Sequence, residues 1–91
     1  MIRSLNDRQR LIMAYLHDLR DTPQEPPDDR LLARAVANRL ALKLNEVKED
    51  LEALQRRGYV QYVIVERQRH YRLTPRGTRA HERHIEEAGD Y

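Results

Sequence analysis

The sequence predicts a mainly helical α+β fold with three helices, a two-stranded β-hairpin and a short C-terminal helix. Three observations lead to this prediction. Apolar residues recur at helical spacing in three segments that precede Gly58. Two short runs rich in β-branched or aromatic residues follow, at 59–66 and 70–74. Thr74 and Pro75 then mark the start of a last helix, because proline is favoured at the first helical position.

The size and composition of the chain indicate one soluble domain. The 91 residues are enough for a single domain, expected to span 1–91. Hydrophobic residues make up 40% and charged residues 35%, and no run of 18 apolar residues offers a membrane span. The first residues are too polar for a secretory signal, and the absence of cysteine excludes disulfides and thiolate metal sites. We therefore expect a cytoplasmic protein that does not associate with membranes.

The first helix is predicted over residues 5–20. Its apolar residues form one stripe at three- and four-residue spacing: Leu5, Leu11, Ile12, Tyr15, Leu16 and Leu19. Ser4 or Asn6 can cap the helix, and Asp7 suits the positive end of the helix dipole. The segment 21–28 is a loop, because its three prolines remove backbone donors.

The second and third helices are predicted on either side of a short turn. Asp28 or Asp29 caps the second helix, which extends to about Ala41. Its inward-facing residues are Leu32, Val36, Ala37 and Leu40. Asn45 is the predicted N-cap of the third helix, and Gly58 ends that helix in the left-handed conformation.

The hairpin is predicted as a strand at 59–66, a turn at 67–69 and a return strand at 70–74. The turn lacks the Gly or Asn of a two-residue hairpin, so we expect a longer or looser tip. Alternation along the return strand places Tyr71 and Leu73 inward and His70 and Arg72 outward.

Positive charge is concentrated in the hairpin and the start of the last helix. The segment 59–80 has a net charge of +4, whereas the whole chain has +2. The chain contains 15 arginines and 2 lysines, and arginine binds phosphate and guanine edges in a bidentate way. The alternative explanation for the arginine content is a GC-rich genome.

Three segments resemble parts of the winged helix-turn-helix domain of bacterial regulators of the MarR and PadR types. The segments Val36-Ala37-x-x-Leu40-Ala41-Leu42 and Val47-x3-Leu51-x2-Leu54-x3-Gly58-Tyr59-Val60 resemble the second and third helices of that domain. Tyr71-Arg72-Leu73-Thr74-Pro75-x-Gly77 is similar to the exit from its wing, the hairpin. The resemblance covers about residues 30–88. It implies that the third helix enters the major groove of DNA and that the wing lies beside it.

The sequence departs from the family pattern in the turn and in the third helix. Ala41 stands where the family usually has glycine. The exposed residues of the third helix have a net charge of −2: Asn45, Glu46, Lys48, Glu49 and Glu52. Phosphates repel carboxylates, although a glutamate can accept a hydrogen bond from cytosine.

The candidate DNA-binding residues lie on the second helix, the third helix and the wing. They are Arg34, Asn38, Lys43, Asn45, Lys48, Arg67, Arg69 and Arg72. We expect the wing arginines in a minor groove or on phosphates; the alternative is a solvated hairpin that protects an edge strand. Phosphate contact is expected for one or two of the residues on or just after the second helix, Arg34, Asn38, Arg39 and Lys43. Asn45 and Lys48 are expected to face bases or phosphates.

The sequence predicts no metal site, no cofactor and no enzymatic activity. His81 and His84 lie on one helical face, but zinc needs two further ligands, so solvated histidines are the preferred interpretation. The sequence contains neither a recognisable nucleophile–base arrangement nor a glycine-rich phosphate loop.

The leading hypothesis is a DNA-binding transcription regulator that uses a winged helix-turn-helix on double-stranded DNA. We expect a homodimer in which the first helix supplies most of the interface. The alternative is a winged-helix module for protein–protein interaction, whose acidic third helix binds a basic partner. The salt dependence of DNA binding discriminates the two hypotheses.

Overall fold

A computed structural model describes the backbone of residues 5–88 and the side chains of residues 5–84. Its elements are α1 Asp7–Asp18, a 3-10 turn Asp29–Leu31, α2 Ala33–Leu40, α3 Leu44–Arg56, β1 Val60–Val65, β2 Gln68–Leu73 and α4 Pro75–Ala88. This order confirms the predicted α+β winged helix. The last helix, predicted to be short, extends over 14 residues. No helix within the described residues is long and apolar enough to cross a membrane.

A capping box begins α1. The Asn6 side chain accepts from the Gln9 backbone N–H at 2.7 Å, and the Gln9 side chain accepts from the Asn6 N–H at 3.2 Å. Asn6 is therefore the cap, and Ser4 lies outside the described residues. The helix buries Ile12, Met13, Leu16 and the adjoining Leu19. Leu11, which its spacing assigns to the same apolar stripe, lies at the outer edge of that stripe and is 49% exposed.

The second helix begins later than predicted. Asp28 caps the 3-10 turn by accepting from the Arg30 N–H at 2.9 Å, and Leu32 then adopts an extended backbone. This extended residue separates the turn from α2, so neither Asp28 nor Asp29 caps the helix itself. Leu32, Val36 and Ala37 are nevertheless buried as predicted, and Leu40 is half-buried.

The turn between α2 and α3 has the conformation that glycine usually supplies. Ala41 has a φ of 56°, and the Leu42 N–H donates to the Ala37 carbonyl at 2.9 Å. A left-handed residue other than glycine costs about 1–2 kcal/mol, so the surrounding packing must offset this strain. Lys43, and not Asn45, is the N-cap of α3. The prediction for Asn45 is wrong because the helix starts at Leu44, which places Asn45 in its first turn.

Two glycines allow the close packing where α3 ends and α4 begins. Gly58 has a φ of 78°, and the next N–H, of Tyr59, donates to the Leu54 carbonyl at 2.9 Å, which confirms the predicted glycine cap. A Cβ on Gly77 would lie 2.0 Å from the Tyr59 carbonyl oxygen, so only glycine allows α4 to pack here. Thr74 caps α4 by accepting from the Gly77 N–H at 3.0 Å, also as predicted.

The wing is an antiparallel pair of six-residue strands closed by a two-residue turn. Val60 lies opposite Leu73 and Val65 lies opposite Gln68, which leaves Glu66 and Arg67 in the turn with φ values of 52° and 67°. The prediction of a looser turn at 67–69 is wrong. Two positive φ values match the twist of the strands, and the continuous ladder offsets the cost of non-glycine residues there.

The second face of the wing is partly covered by the proline-containing loop, over His70 and Arg72. Arg72 donates to the carbonyl oxygens of Thr22 at 2.8 Å and Pro23 at 3.1 Å. His70 is only 4% exposed. The prediction that His70 and Arg72 face outward is wrong, because alternation identifies the two faces of a strand but not a loop that packs over one of them.

Candidate nucleic-acid interface

An open groove of about 580 Å³ lies between α2, α3 and β2. The floor includes the apolar side chains of Leu32 and Ala33. On α3, the lining residues recur every three or four positions and so share one helical face: Leu44, Lys48, Glu52 and Gln55. This face of α3 and the wing therefore form the two walls of one surface, which we call the groove.

The groove brings together three of the predicted DNA-binding residues from three separate elements. Arg34 of α2, Lys48 of α3 and Arg69 of β2 all line it. With its amide oxygen turned toward Arg34, Gln68 accepts from Nη1 at 3.1 Å and from Nη2 at 3.0 Å. This contact links α2 to the wing and orients the Arg34 guanidinium at the wall of the groove.

Arg69 is positioned by two tyrosines. Its guanidinium carbon lies 4.5 Å from the centre of the Tyr62 ring, a distance that allows a cation–π contact. The Tyr71 side chain, followed by Tyr62 and then by other groups that include Glu52, raises the pKa of Arg69 above its ordinary value. Arg69 therefore keeps its charge and has a preferred orientation before any ligand binds.

The other predicted residues lie outside the groove. Arg67 is exposed at the wing tip, and Lys43 and Asn45 are exposed at the start of α3. Asn38 lines a separate depression between α1 and α2. Arg72 lies under the opposite face of the wing, where its contacts with the loop occupy the guanidinium.

The acidity of α3 is partly neutralised by Arg8 of α1. The Arg8 guanidinium forms ion pairs with Asp50 and with Glu46, the latter at 2.5 Å. Asp50 is only 3% exposed and also accepts from the Gln9 side chain at 3.4 Å. The hydrogen bond to Asp50 is the largest influence that raises the pKa of Arg8.

Sequence reasoning missed Arg8, although the sequence contains a signal for it. Glu46 and Asp50 are four residues apart on α3, and Asp50 directly precedes the core residue Leu51. A carboxylate beside core positions needs a partner, because burial of an unpaired charge is costly. With Glu46 paired, the exposed carboxylates of α3 are Glu49 and Glu52, of which Glu52 lines the groove.

His81 of α4 packs against His17 of α1. The His81 ring lies 4.6 Å from the His17 ring between centroids, and burial, followed by the charges of His17 and His84, lowers the pKa of His81. Within the described part of the chain, no group of three potential ligands is arranged to hold a metal ion. The sequence prediction of solvated histidines is wrong for His81, which is 9% exposed.

The fold and the groove together define a winged-helix domain, with one helix and one hairpin presented on the same side. A ZitR mutant from Lactococcus lactis superposes with a TM-score of 0.75 at 16% identity, over 97% of this chain and 56% of that one. The transcriptional regulator PcaV from Streptomyces coelicolor, in complex with its natural ligand, gives 0.73 at 27% identity, over 92% and 56%. A MepR mutant from S. aureus bound to oligodeoxyribonucleotide gives 0.72 at 19% identity, over 92% and 60%.

These structures confirm the resemblance to winged-helix regulators of the MarR type. The chain spans little more than half the length of the proteins it matches here. No protein-family model matches the sequence, and no curated protein matches it.

Proposed function

We propose that this chain is a DNA-binding transcription regulator in which α3 and the wing contact double-stranded DNA. The observation that carries the proposal is the convergence of Arg34, Lys48 and Arg69 in the groove. Cations from three elements on one surface suit a phosphate backbone, which binds mainly through arginine and lysine. The similarity of the fold to a MepR mutant bound to oligodeoxyribonucleotide supports DNA as the ligand.

The position of each candidate residue suggests its role. The exposed start of α3 would place Asn45 and Lys48 toward the major groove, with Lys43 on a phosphate. The tight turn would carry Arg67 toward a minor groove or its phosphates. Asn38 remains a candidate for a backbone contact, since the second helix crosses the backbone in helix-turn-helix docking.

We further propose that the regulator acts as a homodimer and has no enzymatic activity. The basis for an α1 interface is weaker than the sequence suggests. The apolar stripe on α1 is largely used within the domain, because Ile12, Leu16 and Leu19 are buried in the core. Leu11 is the large hydrophobic residue of this stripe that remains exposed. The dimer interface is therefore better sought on another element.

A salt titration tests DNA binding directly. Fluorescence anisotropy would follow binding to fragments from upstream of the protein's own gene at several salt concentrations. Replacement of Arg67 and Arg69 together by alanine should weaken binding to all fragments and flatten the log–log salt slope by up to about 2 units, roughly one for each lost phosphate contact.

The matched control replaces Arg83, an exposed arginine of α4, by alanine. This change lowers the net charge but lies outside the groove, so it should leave the slope nearly unchanged. A native chain without salt-dependent DNA binding would overturn the proposed function. If the folded double variant keeps the salt slope of the native chain, the wing does not contact DNA.

A second candidate function is a protein-interaction module that binds a basic partner through α3. The observation that favours it is the exposure of Glu49 and Glu52, together with Leu44, which is 39% exposed on the same helix. Such a module would lose its partner when both glutamates become glutamine, and its DNA affinity would stay negligible at every salt concentration.

A further inference from the structure

The outer edge of β1 carries backbone groups that β2 does not satisfy. Thr74 N–H donates to the Tyr59 carbonyl at 3.0 Å, and the register continues with Gln61 opposite Arg72 and Val63 opposite His70. Hydrogen-bonded pairs alternate along an antiparallel ladder. The N–H and C=O groups of the alternate residues, Tyr62 and Ile64 among them, therefore point away from β2. Among residues 5–88 the sheet contains only these two strands.

This edge lacks the features that usually prevent strand pairing. Natural edge strands are protected by lysine, proline, a bulge or a covering segment. The strand Val60–Val65 contains no charge and no proline, and its register runs without a bulge. Ile64 is 64% exposed, the highest value among the exposed large hydrophobic residues described, and Val63 is 49% exposed, equal to Leu11 of α1.

A second copy of the same strand fits this edge. In an antiparallel pair with its twofold axis at Val63, Tyr62 of each copy lies opposite Ile64 of the other. Those residues then exchange four hydrogen bonds, since each pair of this type exchanges two. The side chains brought together near the axis are uncharged, so the pairing opposes no like charges there.

The ends of the paired strands bring together one pair of opposite charges and one pair of like charges. The antiparallel arrangement brings Glu66, at the tip of one wing, to the base of the other. There the guanidinium carbons of Arg57 and Arg76 lie 5.3 and 5.7 Å from the centre of the Tyr59 ring. The tip also contains Arg67, which would approach the same cations and oppose the pairing. An acidic side chain in its place should therefore strengthen association.

We propose that two copies of this chain associate by antiparallel pairing of their β1 strands, which creates a four-stranded sheet from two wings. The inference rests on the strand edge alone and does not depend on the proposed DNA binding. It assigns the homodimer interface to the wing in place of α1.

Sedimentation equilibrium over a wide range of protein concentration tests this interface with three variants. Ile64→Lys places a charge at the centre of the pairing. Ile64→Pro removes an N–H that points outward and leaves the ladder with β2 intact, because proline is tolerated at such edge positions. Each of the two Ile64 variants should weaken dimerisation at least about tenfold, since the symmetry of the dimer doubles every lost contact. Leu11→Lys is the matched control on α1 and should leave dimerisation unchanged.

Several results would overturn the proposal. If the native chain stays monomeric at high micromolar concentration, two copies do not pair through β1 and the proposal is wrong. Loss of the dimer in Leu11→Lys but not in the Ile64 variants would assign the interface to α1. Loss in Ile64→Lys but not in folded Ile64→Pro would indicate side-chain packing without strand pairing.

Hydrogen exchange in the native chain covers the case in which Ile64→Pro fails to fold. Dimerisation through β1 should slow exchange of the Tyr62 and Ile64 amides as protein concentration rises. Exchange that is independent of concentration at these two amides, in a sample that is dimeric by sedimentation, would overturn strand pairing. Arg67→Glu provides a gain-of-association test, and weaker association in that variant would contradict the predicted contacts at the strand ends.

Discussion

The two sides of α3 contain similar carboxylates in different surroundings. On the side that faces α1, Glu46 and Asp50 share the Arg8 guanidinium, and Asp50 is almost completely buried. On the outer side, Glu49 and Glu52 are exposed, and Glu52 lines the groove with Lys48. The comparison shows that the formal charge of a helix differs from the charge that a ligand would meet on one of its faces.

Loss of core packing should have the largest effect, because it removes the support common to both sides of α3. Leu51 is fully buried beneath the helix. Leu51→Ala should lower the free energy of unfolding by about 2–5 kcal/mol, a large fraction of the stability of a small domain. Urea denaturation monitored by circular dichroism measures this free energy of unfolding. Leu11→Ala, at an exposed position, should stay within about 0.5 kcal/mol of the native value. A similar small effect for Leu51→Ala would contradict the described packing.

Charge removal on each side of α3 would sharpen the comparison directly. Glu49→Gln combined with Glu52→Gln should raise non-specific DNA affinity by about five- to thirtyfold at low salt, because each of the two unit charges near a phosphate costs on the order of 0.5–1 kcal/mol in water. The gain should shrink with added salt, which screens charges over roughly 10 Å at 0.1 M. Glu46→Gln should give a smaller gain, since Arg8 already neutralises that carboxylate. DNA-binding anisotropy measures both variants, and equal gains from Glu46 and from the outer pair would refute the distinction.

A change in the turn before α3 should have the smallest effect. Ala41→Gly relieves the left-handed strain and should raise the free energy of unfolding by about 0.5–1 kcal/mol. The same substitution within α2, Ala35→Gly, should lower it by a similar amount because glycine disfavours helix interiors. Thermal denaturation compares the two variants, and destabilisation by Ala41→Gly would show that the strain at this turn is not costly.

Local signals predicted the fold well where neighbouring residues determine the outcome. Gly58 ends α3 and Thr74 caps α4 because each acts on backbone groups within a few residues. The wing turn was less predictable, since Glu66 and Arg67 adopt positive φ values that their residue types disfavour. There, pairing along both strands outweighs the local preference.

The candidate site was predictable only in part. Arg34, Lys48 and Arg69 are identifiable as basic residues on suitable elements, but their meeting in one groove depends on how α2, α3 and β2 pack. Arg72 shows the opposite case, because its residue type suits DNA but its guanidinium is held by the loop carbonyls of Thr22 and Pro23. Nothing local to Arg72 indicates this long-range contact.

The sequence by itself determined the element order, the cap of α4 at Thr74 and the buried stripe on α3, because periodicity and capping act over a few residues. Only the tertiary structure decided which charges are available to a ligand. The pairing of Arg8 with Asp50 and the exposure of the β1 edge both depend on elements distant in sequence. Electrostatic and edge contacts of this kind follow from distances in space, which a pattern along the chain does not contain.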